Sequence, residues 1–325
     1  MDWPRAKNIL IIAFLGINLL LGYRLWAGPG GPNASLYTIT PQEVGEVSAQ
    51  LRDRGVVLAC EVPRRARPLA LLVVQNQHTD AQQLADRFFG AGVAVDHEGD
   101  LSVARGGNET LAIDITGAMH YSRSGPAAGG GVTPPGPAVD TARAVDMARE
   151  FWRGHGGMPA GLELDYQVPL GSGRYLVVFS QKTQGAWFFG SQAIAVVGSG
   201  GVEEAYAAWP QAVKPSGAAR PILPATEALL RVLPLLTQDK GTVVVEVRVG
   251  YYSETYDARE WEAVPVWRLR LGSGEVVYVN AYTGAVEARW SPGQAPAGQA
   301  QAGQVQGGQG QEILNFPQKT NGRTR

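Results

Sequence analysis

The feature that most constrains this chain is an apolar run from Ile9 to Trp26, interrupted only by small or mildly polar residues such as Gly16, Asn18 and Gly22. With its flanks it approaches the roughly 20 residues that cross a bilayer core as a helix. Backbone amides in lipid must bond within their own segment, so the run is expected to be helical. Arg5 and Lys7 precede it and favour a cytoplasmic N-terminus, Trp26 suits the interfacial belt, and Arg24 can reach the headgroups. The competing reading is a cleaved signal peptide. Such peptides have a shorter apolar centre and end in a small-x-small site, for which Leu25-Trp26-Ala27 is a poor match. No cysteine stands directly after the run, which excludes a lipoprotein anchor. The expectation is an uncleaved anchor over residues 1–27: a single-pass protein of the cell membrane, N-terminus cytoplasmic, with the bulk of the chain extracytoplasmic and the bilayer as its first partner.

Ile11, Leu15, Asn18 and Gly22 fall on one face of that helix. An amide in hydrocarbon seeks a hydrogen-bond partner, and a glycine lets a second helix approach closely. These four residues are the candidate partner-binding face. The plainer alternative is that a single Asn near the outer leaflet is merely tolerated.

The chain beyond the anchor holds one cysteine, Cys60, so no intramolecular disulfide can form and the fold must rest on packing. A 45% hydrophobic content suffices for ordinary cores, and a net charge of -1 supplies no basic field for nucleic acid. The pattern reads as α+β. Residues 34–123 form a first α+β domain. It opens on a capping box (Thr40, Pro41, Glu43), followed by Val44, Val47 and Leu51 at helical spacing. Leu69–Val74 reads as a strand, a second helix starts at Thr79 or Asp80 and stops at Gly90, and Leu101–Ala104, Leu111–Ile115 and Ala118–Tyr121 read as a meander. Residues 124–137, rich in Gly and Pro, form a linker.

Two similar modules are expected next, at 138–210 and 222–290. In the first, Asp140 caps a helix bearing Ala144, Val145, Ala148, Phe151 and Trp152; strands follow at Leu162–Val168, Tyr175–Phe179, Ala186–Phe189 and Ala193–Val197. In the second, Thr226 takes the cap position before Leu229, Leu230 and Leu233, with Pro234 ending or kinking the helix. Val243, Val245, Val247 and Val249 then alternate with polar residues, as do Trp267, Leu269 and Leu271 with Arg268 and Arg270; both read as half-buried strands. Each copy places a glycine turn, Glu-Ala and a tryptophan at its end, and the two run to similar length. Residues 291–325 are Gly, Gln and Ala with few apolar side chains and are expected to be a disordered tail.

Chemistry is harder to find. His78, His97, His120 and His155 are scattered without metal-ligand spacing, and the Gly-rich stretches match no phosphate-binding loop. Glu203 and Glu204 are adjacent on a strand and so face opposite ways; they read as solvated hairpin charges and not as an acid–base pair. Tyr251-Tyr252, Tyr256 and Trp261 form an aromatic stretch, read as core or lid before contact surface. No enzyme activity, metal or cofactor is expected.

Met1-Asp2-Trp3-Pro4-Arg5-Ala6-Lys7-Asn8-Ile9 with the apolar run resembles the N-terminus of the YycI family of two-component regulatory proteins. So does Gly250-Tyr251-Tyr252, followed by Val264-Pro265-Val266-Trp267-Arg268 and Tyr278-Val279-Asn280-Ala281-Tyr282-Thr283-Gly284. That last stretch is also similar to PepSY-type modules. The resemblance implies a bitopic regulator that acts with a YycH-type membrane protein on a WalK/YycG-type sensor histidine kinase controlling cell-wall metabolism, without catalytic residues or a cofactor. The Pro/Gly insert near residue 130 and the Gly/Gln tail depart from the family pattern and leave domain spacing open. The alternative function is a PepSY-like extracytoplasmic module that restrains or chaperones a secreted peptidase.

Overall fold

A computed structural model describes Lys7, Ile11, residues 14–19, 37–77, 80–124, 139–155, 157–183, 185–238 and 241–292. Its folded body starts with β1 (Tyr37–Thr38) and α1 (Pro41–Asp53). The capping box forms: the Thr40 hydroxyl accepts the Glu43 amide at 3.2 Å, and the Glu43 carboxylate accepts the Thr40 amide at 2.6 Å. Two amides that the helix leaves orphaned are thereby satisfied. Next come β2 (Val57–Leu58), β3 (Arg65–Ala66) and β4 (Leu69–Gln75). In α2 (Ala81–Phe89) the cap is Asp80, whose carboxylate accepts the amides of Gln82 and Gln83. An antiparallel meander follows: β5 (Val95–Glu98), β6 (Leu101–Gly106), β7 (Glu109–Asp114) and β8 (Met119–Arg123).

After the proposed linker, which lies outside the described residues apart from Ser124, Asp140 accepts the Arg143 amide at 2.8 Å and α3 runs from Thr141 to His155. Four antiparallel strands succeed it in chain order: β9 (Leu162–Gly171), β10 (Arg174–Thr183), β11 (Ala186–Gly198) and β12 (Gly201–Ala208). Then come β13 (Gln211–Arg220) and α4 (Ala225–Leu236). A second set of four antiparallel strands closes the body: β14 (Val243–Tyr252), β15 (Glu260–Leu271), β16 (Val276–Asn280) and β17 (Val286–Trp290). The expected tail, 291–325, lies outside the described residues apart from Ser291 and Pro292.

The fold is mixed α+β around a large, mainly antiparallel sheet. Two four-stranded meanders, the first β9–β12 and the second β14–β17, have both faces covered over their central strands, and alternation sorts their side chains. On β10, Val177 and Phe179 meet α3 in one core with Trp152, while Leu176 and Val178 face the other way. On β15, Trp267 and Leu269 meet α1 and α4, while Val266 turns to the opposite face. These opposite faces meet each other, with Tyr166, Val196 and Tyr206 against Tyr252, Tyr278 and Trp290. The two meanders are thus layered face to face, with helices on their outer sides. They also join edge to edge where Trp187 and Phe188 of β11 pair in parallel with Gly250 and Tyr251 of β14.

Several local expectations need correction. Thr226 does not cap α4: Pro224 is the N-cap, without a side-chain cap bond, and Thr226 lies buried inside the helix. Pro234 does not end α4, which continues to Leu236. Proline costs the helix the bond that its missing N–H would have given the Leu230 carbonyl, but the Thr237 amide still donates to the Leu233 carbonyl at 3.0 Å and closes the last turn. The strands expected at Ala186–Phe189 and Ala193–Val197 are one strand, whose partner shifts register at Ser180/Gln181 and so absorbs the interruption. β13 is additional, an exposed strand paired with β4.

Candidate functional site

The residues singled out for partner contact lie at the start of the chain. Lys7, Ile11 and Phe14–Leu19 are helical, and Ile11, Leu15 and Asn18 are four and three residues apart, so these three share a face. All are exposed, Ile11 at 46% and Leu15 at 56%. Gly22, with most of the proposed anchor, lies outside the described residues. Among the described residues no helix is long and apolar enough to cross a membrane.

The structure assembles a second site that the sequence did not disclose, at the seam between the two meanders. Arg268 was expected on the solvent face of β15, yet its side chain is 0% exposed because the first meander covers that face. Its Nη1 bonds to Asp165 Oδ2, its Nη2 donates to Asp165 Oδ1 at 2.7 Å, and Nε and Nη2 donate to Glu246 Oε1 at 3.1 and 2.6 Å. Asp165 comes from β9, 103 residues away in sequence, and also accepts Ser180 Oγ at 2.8 Å and Arg248 Nη1 at 3.1 Å. Glu246 is shared with Arg248 at 3.1 Å and Arg270 at 3.6 Å. The guanidinium carbon of Arg268 also lies 4.1 Å from the centroid of Phe189.

Electrostatics keeps the Asp165–Arg268 pair ionised. Burial by itself would raise the Asp165 carboxyl. The Arg268 guanidinium, aided by Ser180 and Arg248, outweighs burial and holds it below the usual carboxylate range. Burial likewise works to lower Arg268, and the Asp165 charge reverses the sign and raises it. A carboxylate so saturated with donors is ill suited to take up a proton. The network fixes the position of one meander on the other. Its sequence signal was the density of charge at Glu246, Arg248, Arg268 and Arg270, which named neither the burial nor Asp165.

Beside it, Phe189, Tyr206, Tyr252, Tyr278 and Trp290 line a pocket of about 20 Å³ with Glu254 among its walls, room for about one water molecule. Tyr252 and Tyr278 stack at 4.3 Å, and the buried Tyr206 hydroxyl has no hydrogen-bond partner among the described residues. The aromatic stretch divides: Tyr251 and Tyr252 are buried, Tyr256 is exposed, and Trp261 donates its indole N–H to Ser253 at 2.9 Å. Glu203 and Glu204 are half-buried, not solvated, and Glu203 lies 3.9 Å from Arg174. His97 and His155 sit on separate elements, and burial lowers His120 to about 4. Among the described residues no three His, Cys, Asp or Glu side chains come together to hold a metal.

The family model described as YycI protein matches residues 35–282. No curated protein matches the chain significantly. Among solved structures, similarity extends to an uncharacterized protein from Eubacterium rectale, at 9% identity and a TM-score of 0.46, covering 75% of this chain and 98% of that one. The C-terminal domain of Bacillus megaterium YpeB matches at 14% identity and a TM-score of 0.34, covering 67% of this chain and 98% of that one. YycH from Bacillus subtilis matches at 10% identity and a TM-score of 0.42, covering 68% and 55%.

Proposed function

The chain belongs to the YycI protein family, and from that membership we propose that it is a non-catalytic regulator of a two-component system, held in the cell membrane by residues 1–27. It acts on a WalK/YycG-type sensor histidine kinase together with a YycH-type partner, and so affects cell-wall metabolism. The observation that carries this reading is the extent of the family match, which covers nearly all of the folded body. The seam supports it: a body whose two layers are clamped by buried charge can transmit a contact as a rigid unit. The exposed face of Ile11, Leu15 and Asn18 is the membrane side of the same reading, with Gly22 four residues further along the sequence.

The test is co-purification of the full chain with the kinase from membranes, alongside kinase output. Asn18→Leu and Gly22→Leu each remove a helix contact worth roughly 0.6–2 kcal/mol, which is about three- to thirty-fold in complex formed. Glu287→Gln should leave both readouts unchanged. Replacing residues 8–26 by an unrelated membrane helix should abolish control. Control that survives the replacement would make the anchor a tether only and favour the module that restrains or chaperones a secreted peptidase.

A further inference from the structure

The tether of the folded body and its basic residues meet at one place. β1 pairs with β3 in the register Tyr37↔Ala66 and Thr38↔Arg65, and the Ile39 amide donates to the Arg64 carbonyl at 2.7 Å. Arg65 and Arg67 flank the buried Ala66 and so point the same way from an extended segment. Arg220, at the end of β13, is the cross-strand partner of Leu69. Its guanidinium lies 4.3 Å from the centroid of Tyr282, whose own hydroxyl donates to the Leu69 carbonyl. That contact holds the charge in place before any ligand arrives.

Arg64, Arg65, Arg67 and Arg220 are all exposed, and among the described residues none forms an ion pair. Exposed arginines elsewhere lean on carboxylates, as Arg105 does on Glu98 and Arg231 on Glu227. Glu43 bonds Thr40 in the capping box, and Glu61, exposed, precedes Arg64 by three residues in sequence. Meanwhile β1 opens at Tyr37, eleven residues after Trp26 (37 − 26), a reach of at most about 40 Å. A folded body of this size is about 45 Å across, so the tether keeps β1 from the side farthest from the bilayer and leaves the face around β1 free to meet it.

We propose that Arg64, Arg65, Arg67 and Arg220 dock the folded body on the anionic lipid headgroups of the membrane that anchors it. The proposal rests on the anchored reading of residues 1–27. Guanidinium groups match phosphate geometry, and each basic side chain near an anionic leaflet raises contact about fivefold at physiological salt. Docking would fix the orientation of the body relative to the membrane helix.

The experiment uses the full chain as Cys60→Ser/Gln42→Cys, labelled at position 42 with a fluorophore and reconstituted into vesicles carrying a nitroxide headgroup quencher. Quenching should be several-fold stronger in phosphatidylcholine–phosphatidylglycerol than in phosphatidylcholine alone, and should fall at high salt. The R64Q/R65Q/R67Q/R220Q variant should lose the lipid dependence while keeping its circular dichroism and thermal midpoint. Equal quenching in both lipids, or unchanged lipid dependence in a folded variant, would overturn the proposal. So would quenching that responds to a soluble polyanion and not to phosphatidylglycerol. Alkaline carbonate tests the anchor separately. If it strips the chain from both vesicle types, the anchored reading fails. Docking then stands only if the detached chain sediments with the anionic vesicles and the variant does not.

Discussion

Replacing Arg268 by Met puts the seam to a quantitative test. The substitution removes a guanidinium that is 0% exposed and takes from two carboxylates one of the two arginines they share. Asp165 keeps only Ser180 and the one-third-exposed Arg248, while Glu246 keeps Arg248 and Arg270. Breaking a buried pair by removing one side costs about 3–5 kcal/mol, because the other charge stays buried and uncompensated. The surviving arginines place this case at the lower end, about 3 kcal/mol, or a fall of roughly 6–12 °C in thermal midpoint for a body of this size. The pH dependence carries a sign. In the wild type the Asp165 pKa is lowered, so its stabilisation is present above the unfolded value of about 3.9 and is lost as pH falls through the folded one. Without Arg268 the burial contribution is no longer offset and the folded pKa rises. The variant's deficit should therefore shrink as pH falls from 7 toward about 4. Arg268→Met/Asp165→Leu should recover much of the loss, since it removes both charges. Urea and thermal unfolding of the full chain, followed by circular dichroism, measure all three quantities. A loss below about 1 kcal/mol, or a deficit that widens in acid, would refute the account of the seam.

Other expectations are simpler. Thr40→Ala removes the capping box and should cost about 1 kcal/mol in urea unfolding; no loss would mean that tertiary packing alone sets the start of α1. A Cβ at Gly250 would lie 2.5 Å from the Phe189 ring and 2.7 Å from the Trp187 carbonyl oxygen. Gly250→Ala should therefore cost about 1–3 kcal/mol by the same measurement, and a neutral result would show that β11 and β14 do not meet closely there. Burial, with Glu246 adding to it, pushes the Cys60 thiol up to about 11. Its alkylation at neutral pH should be slower than that of free cysteine by on the order of a hundredfold and should rise about tenfold per pH unit. A rate near that of free cysteine would contradict the burial.

The helix starts at Thr40, Asp80 and Asp140 were read correctly, unlike that of α4, because their capping partners are a few residues away. Thr40 with Glu43, Asp80 with Gln82 and Gln83, and Asp140 with Arg143 each complete a helix start within one turn. The alternation through Val243–Val249 likewise marks a strand wherever that strand is finally placed. Period alone does not say what covers each face, and here both faces of the meanders are covered. Arg268, on the polar side of its strand's alternation, therefore looked solvated and is buried, and Asp165 of β9 is its counter-ion. Placing β4 between β13 and β15, joining β11 to β14, and bringing residues 165 and 268 together are choices among non-local partners. Such choices leave no periodic trace, because the free energy that decides them comes from burial and charge compensation between segments that local propensity treats as independent. Membership in the family, the three side-chain-capped helix starts and strand alternation were thus determined by the sequence alone. The layering of the two meanders and the charged seam that locks them were decided by tertiary structure.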